Sequence, residues 1–439
     1  MKKKLVILAV TLILGVFFVS LTIKLAESQN VKRQNNLLNE EELTIWLVTD
    51  IHYLSPTLFD DGEAFAKMEA TSAGKDLRHT QHHLEALVWR AAKEKPDLLI
   101  VSGDLTFNGE YQSMVELADY FSEIEANGTQ VSVIPGNHDI NSSWAREFAG
   151  EEMTKVSHVS PTDFKKLFAE YGYDLATYSD PNSLNYVIEP KKGYPLIMLD
   201  TNMYSDIPQA PVAAGMINES TFTWLDDFFD HETEIKKALV VGHHPLLNTG
   251  DGPLTLQNAD VASDYFMKNG IQTSFSGHVH TQSINEIDAF HDIITGALSI
   301  YPNSIGVVTI SNEALIYERQ TLDVELWAKE TNQTETELLN YKETAENILK
   351  KDGETLALSM MFEEQWFDIA YKEDVMDFVG KLNIRRFAGG NDATLTELRQ
   401  HPGYQMIQDN SKTFLKRYSK RILEDNNQND LQITLPHSP

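Results

Sequence analysis

No cysteine occurs among the 439 residues. A disulfide scaffold, a thiolate metal site and a cysteine nucleophile are therefore excluded, as is lipid anchoring through an N-terminal cysteine. Basic residues are also short, with 36 Lys and Arg set against 65 Asp and Glu for a formal charge of -29. That balance repels phosphate backbones and anionic lipid, so no stable nucleic-acid partner is expected. An anionic substrate would need cations bound locally. Internal repeats and low-complexity segments are absent as well. What remains is a chain long enough for more than one domain, whose 42% hydrophobic content can fill a sizeable core.

The only long apolar run is Leu5 to Ile23, preceded by Lys2-Lys3-Lys4 and closed by Lys24. As a helix it just spans a bilayer, and no small-x-small cleavage site follows. Residues 1–24 are expected to form a membrane anchor or signal segment and residues 25–42 a polar tether. The N-terminal lysines would stay cytoplasmic, leaving the rest an extracellular domain on a single-pass protein, or a secreted one if residues 1–26 are cleaved. The oligomeric state is not legible.

The sequence is organised by strand ends. Val131-Ser132-Val133-Ile134 runs into Pro135-Gly136-Asn137-His138-Asp139. A β-branched run stopped by Pro-Gly is a buried strand that delivers its last residues into a loop. The construction recurs. Thr44 to Thr49 ends in Asp50-Ile51-His52, and Leu98 to Val101 ends in Ser102-Gly103-Asp104. Ala238 to Val241 ends in Gly242-His243-His244, and Thr273 to Ser276 ends in Gly277-His278-Val279-His280. Helical periodicity at His82 to Ala91 and Tyr111 to Ala126 alternates with these strands, which predicts an α/β architecture over residues 43–320. Residues 140–192 break the pattern and are read as a lid or an inert excursion. From Thr321 the spacing becomes helical: Leu338, Tyr341, Ala345; Leu358, Met361, Phe362, Trp366, Ile369; Phe414, Leu415, Tyr418, Ile422. Residues 321–439 are expected to be an all-helical C-terminal module with its own core, punctuated at Gly353 and Gly389-Gly390.

Five strand ends presenting carboxylate, imidazole and amide describe one pocket for two cations. Asp104 is the natural bridge. Asp50, His52 and His280 complete one site, and Asn137, His243 and His278 the other. Imidazole and carboxylate without thiolate suit Mn, Fe or Zn, as two divalent or trivalent ions. Held roughly 3.5–4 Å apart, such ions lower the pKa of a shared water and neutralise charge developing on phosphorus. His138, next to Asn137, is placed to protonate a leaving oxygen, with Asp139 fixing its orientation. Arg78, His79 and His244 are candidates for substrate contact.

The motifs Asp50-x-His52, Gly103-Asp104, Gly136-Asn137-His138-Asp139, His243 and Gly277-His278-x-His280, in this order, resemble those of the calcineurin-like binuclear metallophosphoesterases. The resemblance implies a four-layer αββα sandwich with metals at the strand C-termini, and the same metal and acid roles at these positions. Phe107 stands where purple acid phosphatases carry an iron-bound tyrosine, and Leu105-Thr106-Phe107-Asn108 lacks the arginine of phosphoprotein phosphatases. Asp139 stands where 5′-nucleotidases usually carry Glu. The set looks most like the bacterial class III cyclic nucleotide phosphodiesterases. The expected activity is hydrolysis of cyclic nucleotides or similar small phosphodiesters. The alternatives are a phosphomonoesterase or nucleotidase on the same metals, and a non-catalytic scaffold.

Overall fold

The computed structural model describes residues 42–232, 237–247, 254–389, 393–424 and 430–437. The anchor expected at residues 1–24, and the tether save Glu42, lie outside them. Among the described residues no helix is long and apolar enough to cross a membrane.

Two sheets form the centre. The first runs β15 (Gln432–Pro436), β14 (Ala314–Thr321), β13 (Ser304–Ile310), β1 (Leu43–Val48), β2 (Leu98–Ser102), β3 (Gln130–Ile134). The second runs β11 (Ser283–Ile287), β12 (Phe290–Ile294), β10 (Thr273–Ser276), β9 (Leu239–Val241), β8 (Tyr194–Met198), β7 (Tyr186–Lys191), β6 (Tyr178–Ser179). Strands β1, β2 and β3 are mutually parallel, as are β8, β9, β10 and β12. The ligand-bearing ends of each set therefore point one way. A separate hairpin pairs β4 (Arg146–Ala149) with β5 (Glu152–Lys155).

Strand alternation explains the layering. Leu196 and Met198 of β8 and Leu239 and Val241 of β9 join the core shared with β1, β2 and β3. Ile197 and Val240, one residue out of phase, pack instead with Trp224, Leu225, Phe228, Ala262 and Phe266 from helices Glu219–His231 and Ala259–Lys268. Helices Thr80–Glu94 and Tyr111–Ala126 cover the other sheet through Leu84, Leu87, Leu117 and Phe121. Helix, sheet, sheet, helix is the expected four-layer α/β sandwich.

Residues 140–192 are anchored by buried Phe148, Phe164 and Phe168. Helix Pro161–Leu167 within them begins at a capping box between Ser160 and Asp163. The stretch after His52 is less irregular than its sequence suggests, since Glu63–Glu69 is a helix.

Beyond Thr321 the chain is helical to Leu423 and then returns as β15, which pairs antiparallel with β14 on the first sheet. The last residues are thus a strand. The alternation in Gln432-Ile433-Thr434-Leu435 fits an edge strand better than a helix. Helix Tyr341–Glu363 is the spine of this region. Leu338, Tyr341 and Ala345 belong to the sandwich core. Ala357 and Met361 belong to a second core with Trp366, Phe378, Leu382, Ile407 and Leu415. Phe362 and Ile369, expected inside, are exposed. Gly353 is not a break but sits mid-helix, where a Cβ would meet Val379 O at 2.8 Å and Gly380 Cα at 2.9 Å on helix Lys372–Ala388. It lets two backbones touch.

Tyr341 ties this spine to the sandwich. Its buried hydroxyl donates to Asp76 Oδ2 at 2.7 Å and bonds His83 Nε2. Asp76 also faces His79 Nδ1 at 2.9 Å, and His79 Nε2 lies 3.3 Å from Glu337 of the helical region. Tyr341→Phe should cost about 1–3 kcal/mol by leaving buried partners unpaired, read by urea unfolding. Burial opposes the charge on His79, but the Asp76 carboxylate raises its pKa above 6.5. Its contribution to stability is then complete below pH 6.5 and lost as pH rises through the folded-state pKa. His79→Asn should flatten unfolding free energy against pH in that window.

Candidate metal centre

Each motif side chain sits two to five residues beyond a parallel strand, where the backbone must turn sharply. The turn is made in an unusual way. Asp50, His52, Asp104, His278 and His280 have φ of 51°, 46°, 48°, 67° and 63°. Left-handed backbone is uncommon for side chains with a Cβ, though Asp and His tolerate it better than most. Five such residues in one site mean that the fold over-determines their positions. The motif glycines are the second half of this geometry. A Cβ at Gly136 would strike the Asp104 backbone nitrogen, and one at Gly277 would strike Thr49 Oγ1. The loops pass each other at backbone contact.

The result is two overlapping clusters. Ligating atoms of Asp50, His52, Asp104 and His280 all lie within 4.8 Å of one another, as do those of Asp104, His243 and His278. Asp104 is common to both. Its Oδ2 is 3.6 Å from His52 Nε2 and its Oδ1 is 3.4 Å from His243 Nε2. His280 Nε2 lies 3.3 Å from Asp50 Oδ1 and 3.3 Å from His52 Nε2. Asn137 Oδ1 lies 3.2 Å from His243 Nε2, beside the second cluster. Asp104 thus joins a group of four possible ligands to a group of three.

The residues fit cations by their own bonding. Asp50 Oδ1 and His278 Nε2 are buried and have no hydrogen-bond partner among the described residues. Asp50 Oδ2 is held by Thr49 Oγ1 at 2.8 Å and by the His278 N–H at 2.9 Å, which leaves Oδ1 facing the centre. His243 Nδ1 donates to the Ser102 carbonyl at 2.9 Å, the outer bond that fixes the tautomer of a metal-binding imidazole. Charge tells the same story. Burial works against a charged His243, yet Asp104 and Asp50 lift its pKa to about 9. Burial, with His243 adding to it, drops His278 to about 3. Burial opposes ionisation of Asp104 too, but His243 and His138 hold its carboxyl well below the usual range. A proton on His243 thus balances carboxylates that a cation would otherwise neutralise.

His138 lies at this centre. Its N–H donates to Asp104 Oδ1 at 2.9 Å and its ring meets that of His52 edge-on at 5.2 Å. Asp139 does not orient it, contrary to expectation. Its carboxylate accepts the N–H groups of Leu105, Thr106 and Gly136 at 3.0, 3.0 and 2.8 Å, and so bolts the Asp104 loop to the Asn137 loop. The imidazole is fixed instead by Asn108, whose Oδ1 accepts from Nδ1 at 2.9 Å. Asn108 was legible only as a residue after Asp104, with no motif to single it out.

Two further expectations fail. Arg78 is engaged by Glu69 at 3.0 and 2.8 Å and by Asp61 at 2.5 Å, over the Phe65 ring, so it is not free for substrate. His79 is buried between Asp76 and Glu337, joining the helical region rather than the pocket. His244 is a wall of the second cluster. Its ring is 4.4 Å from that of His278, and Nδ1 is 2.8 Å from Thr201 Oγ1.

Asp104→Ala should lose both metal equivalents by elemental analysis of the loaded protein; retention of either contradicts its shared role. Asp139→Asn should weaken metal affinity about 10–100-fold, as loss of support behind ligands does.

Comparison with known proteins agrees with this geometry. Residues 43–282 match the family model described as calcineurin-like phosphoesterase, and residues 323–429 match one described as the C-terminal domain of cyclic nucleotide phosphodiesterase. A probable glycerophosphodiester phosphodiesterase of Arcobacter nitrofigilis is 23% identical over 252 residues, covering 55% of this chain and 77% of that protein. Among solved structures, a dimetal phosphatase from Danio rerio aligns over 64% of this chain and 96% of its own, with 14% identity and a TM-score of 0.47. A purple acid phosphatase from yellow lupin seeds aligns over 64% and 52%, with 10% identity and a TM-score of 0.41. With the first model spanning more than half of its length, the chain belongs to the calcineurin-like phosphoesterases, and it is a binuclear metallophosphoesterase.

Proposed function

We propose that the protein is a phosphodiesterase acting on small phosphodiesters, with cyclic nucleotides as the preferred class. The observation that carries the reaction type is Asp104, one carboxylate shared by two ligand clusters with a positioned imidazole beside it. Two cations held there would acidify a water and neutralise charge on phosphorus. The chain supplies the rest. Asp50, His52 and His280 would hold one ion, and Asn137, His243 and His278 the other, with Asp104 shared. Asn108 keeps the proton on His138 Nδ1, which leaves Nε2 to exchange a proton with the leaving oxygen.

The choice of a diester is supported by the A. nitrofigilis protein, which is named as a probable phosphodiesterase. The narrower choice is supported by the helical region, whose family model is described from cyclic nucleotide phosphodiesterase. Mn, Fe and Zn remain the metals that suit this donor set.

A panel on metal-loaded protein tests the reading. Bis(p-nitrophenyl) phosphate and 2′,3′- or 3′,5′-cyclic nucleotides should turn over faster than p-nitrophenyl phosphate and nucleoside monophosphates. The reverse order would make the enzyme a phosphomonoesterase. His138→Gln should retain metal while slowing esters with poor leaving groups about 10²–10⁴-fold and nitrophenyl esters far less. Equal slowing of both would remove His138 from the acid role.

A further inference from the structure

The chain between Asp104 and helix Tyr111–Ala126 is tied down one N–H at a time. The N–H groups of Leu105 and Thr106 go to the Asp139 carboxylate, that of Phe107 to Tyr53 O at 3.0 Å, and that of Gly109 to Thr106 Oγ1 at 3.0 Å. Gly109, at a φ of 70°, lies against the His138 loop, since a Cβ there would meet Asp139 O at 2.7 Å. Residues 157–159 fasten the far side. The Val159 N–H donates to Gly109 O at 3.0 Å and the Tyr111 N–H to Ser157 O at 2.9 Å. Asn141, just past the His138 loop, donates its N–H to Val159 O at 2.8 Å. The segment 140–192 thus joins the loop of the acid to the loop of the residue that orients it.

Asn108 is the remaining link, and its N–H goes to Glu110 Oε2 at 2.9 Å. A carboxyl is a costly way to satisfy one amide here. Glu110 is fully buried, and its Oε1 has no hydrogen-bond partner among the described residues. Burial lifts its pKa to about 7; the amides of Asn108, Glu110 and Arg146 counter this, and Asp139 adds to it. What the carboxyl obtains is a fixed Asn108 main chain. From there Asn108 Oδ1 reaches His138 Nδ1 at 2.9 Å. A single residue, itself only 4% exposed, therefore separates Glu110 from the imidazole.

We infer that Glu110 is a positioning residue for the proton transfer, acting through Asn108 on the orientation and tautomer of His138. The inference rests on the reading of His138 as the acid. Among the described residues the Glu110 carboxyl bonds no metal-ligand side chain, so its effect falls on the proton and not on the ions. Charge is not what the position needs, because any acceptor oxygen at the same reach satisfies the Asn108 N–H. Glutamine supplies that oxygen. Leucine fills a similar volume without it, and aspartate draws the carboxyl back by one methylene.

The test uses full-length, zinc-loaded protein and two readouts. One is hydrolysis of a 2′,3′-cyclic nucleotide against bis(p-nitrophenyl) phosphate; the other is the nitrogen-15 NMR resonances of the His138 ring, identified by their loss in His138→Gln. Glu110→Leu should lower kcat on the cyclic nucleotide about tenfold, part of the roughly 10²–10⁴-fold that an acid supplies, with KM, metal content and nitrophenyl turnover little changed. Its His138 Nδ1 should lose the fixed proton of the wild type. Glu110→Asp should do the same, and it decides the matter where the leucine variant does not fold. Glu110→Gln should restore both readouts. In an Asn108→Ala background, Glu110→Leu should add little, because both changes act on one bond. An unaltered leucine variant, equal slowing of both esters, loss of metal, full additivity with Asn108→Ala, or a glutamine variant no better than leucine would overturn the assignment. If cyclic nucleotides are not cleaved, or His138→Gln slows both esters equally, the functional reading fails, while the ring resonances still decide whether Glu110 sets the tautomer.

Discussion

Everything in this protein depends on holding like with like in a dry place. Asp50 and Asp104 are fully buried within a few ångströms of four imidazoles, and burial alone would push each of these groups to its neutral form. The fold resists that tendency by over-constraining the loops. Asp139 takes three backbone N–H groups from two loops, Asp50 takes one from a third, and the glycines at 136 and 277 leave room for the Asp104 backbone and the Thr49 and Asp50 side chains. Two parallel strand sets with all their C-termini at one edge make this possible.

The same constraint decides what a sequence can reveal. Asp50, His52, Asp104, His243, His278 and His280 were legible because each follows an apolar run that stops at a known point, so strand end and chemistry coincide. The two ligand sets followed from needing one shared carboxylate. Asp139 was misread for the opposite reason. It neighbours His138 in sequence, but its carboxylate turns to the N–H groups of Leu105, Thr106 and Gly136 instead. Asn108, the real partner, arrives from a different strand end, a distance in sequence that no local pattern encodes. His79 and Arg78 looked functional by proximity to a ligand motif, and the placement of their carboxylate partners, Asp76, Glu337, Glu69 and Asp61, is fixed only by the fold.

The helical region shows the limit from another side. Its periodicity was clear, yet where its apolar faces point was not. Tyr341 and Ala345 insert into the sandwich while Met361, about two turns beyond a mid-helix glycine, turns to a separate core. A 23-residue helix is about 35 Å long, enough to belong to two cores at once. Gly353 reads as a break in a list of residues and as a contact point in space, because only the partner helix distinguishes the two. The terminal strand β15 pins the far end of the region back to the first sheet, so spine and strap are both fastened to the catalytic layers.

The composition poses a charge problem that the centre answers. A chain of net charge -29 should repel the anion it cleaves. Screening removes most of that repulsion beyond about 8 Å at physiological ionic strength, so affinity is settled by the groups in the last few ångströms. There the balance is reversed by imidazoles and by the cations that the two ligand clusters around Asp104 are built to hold.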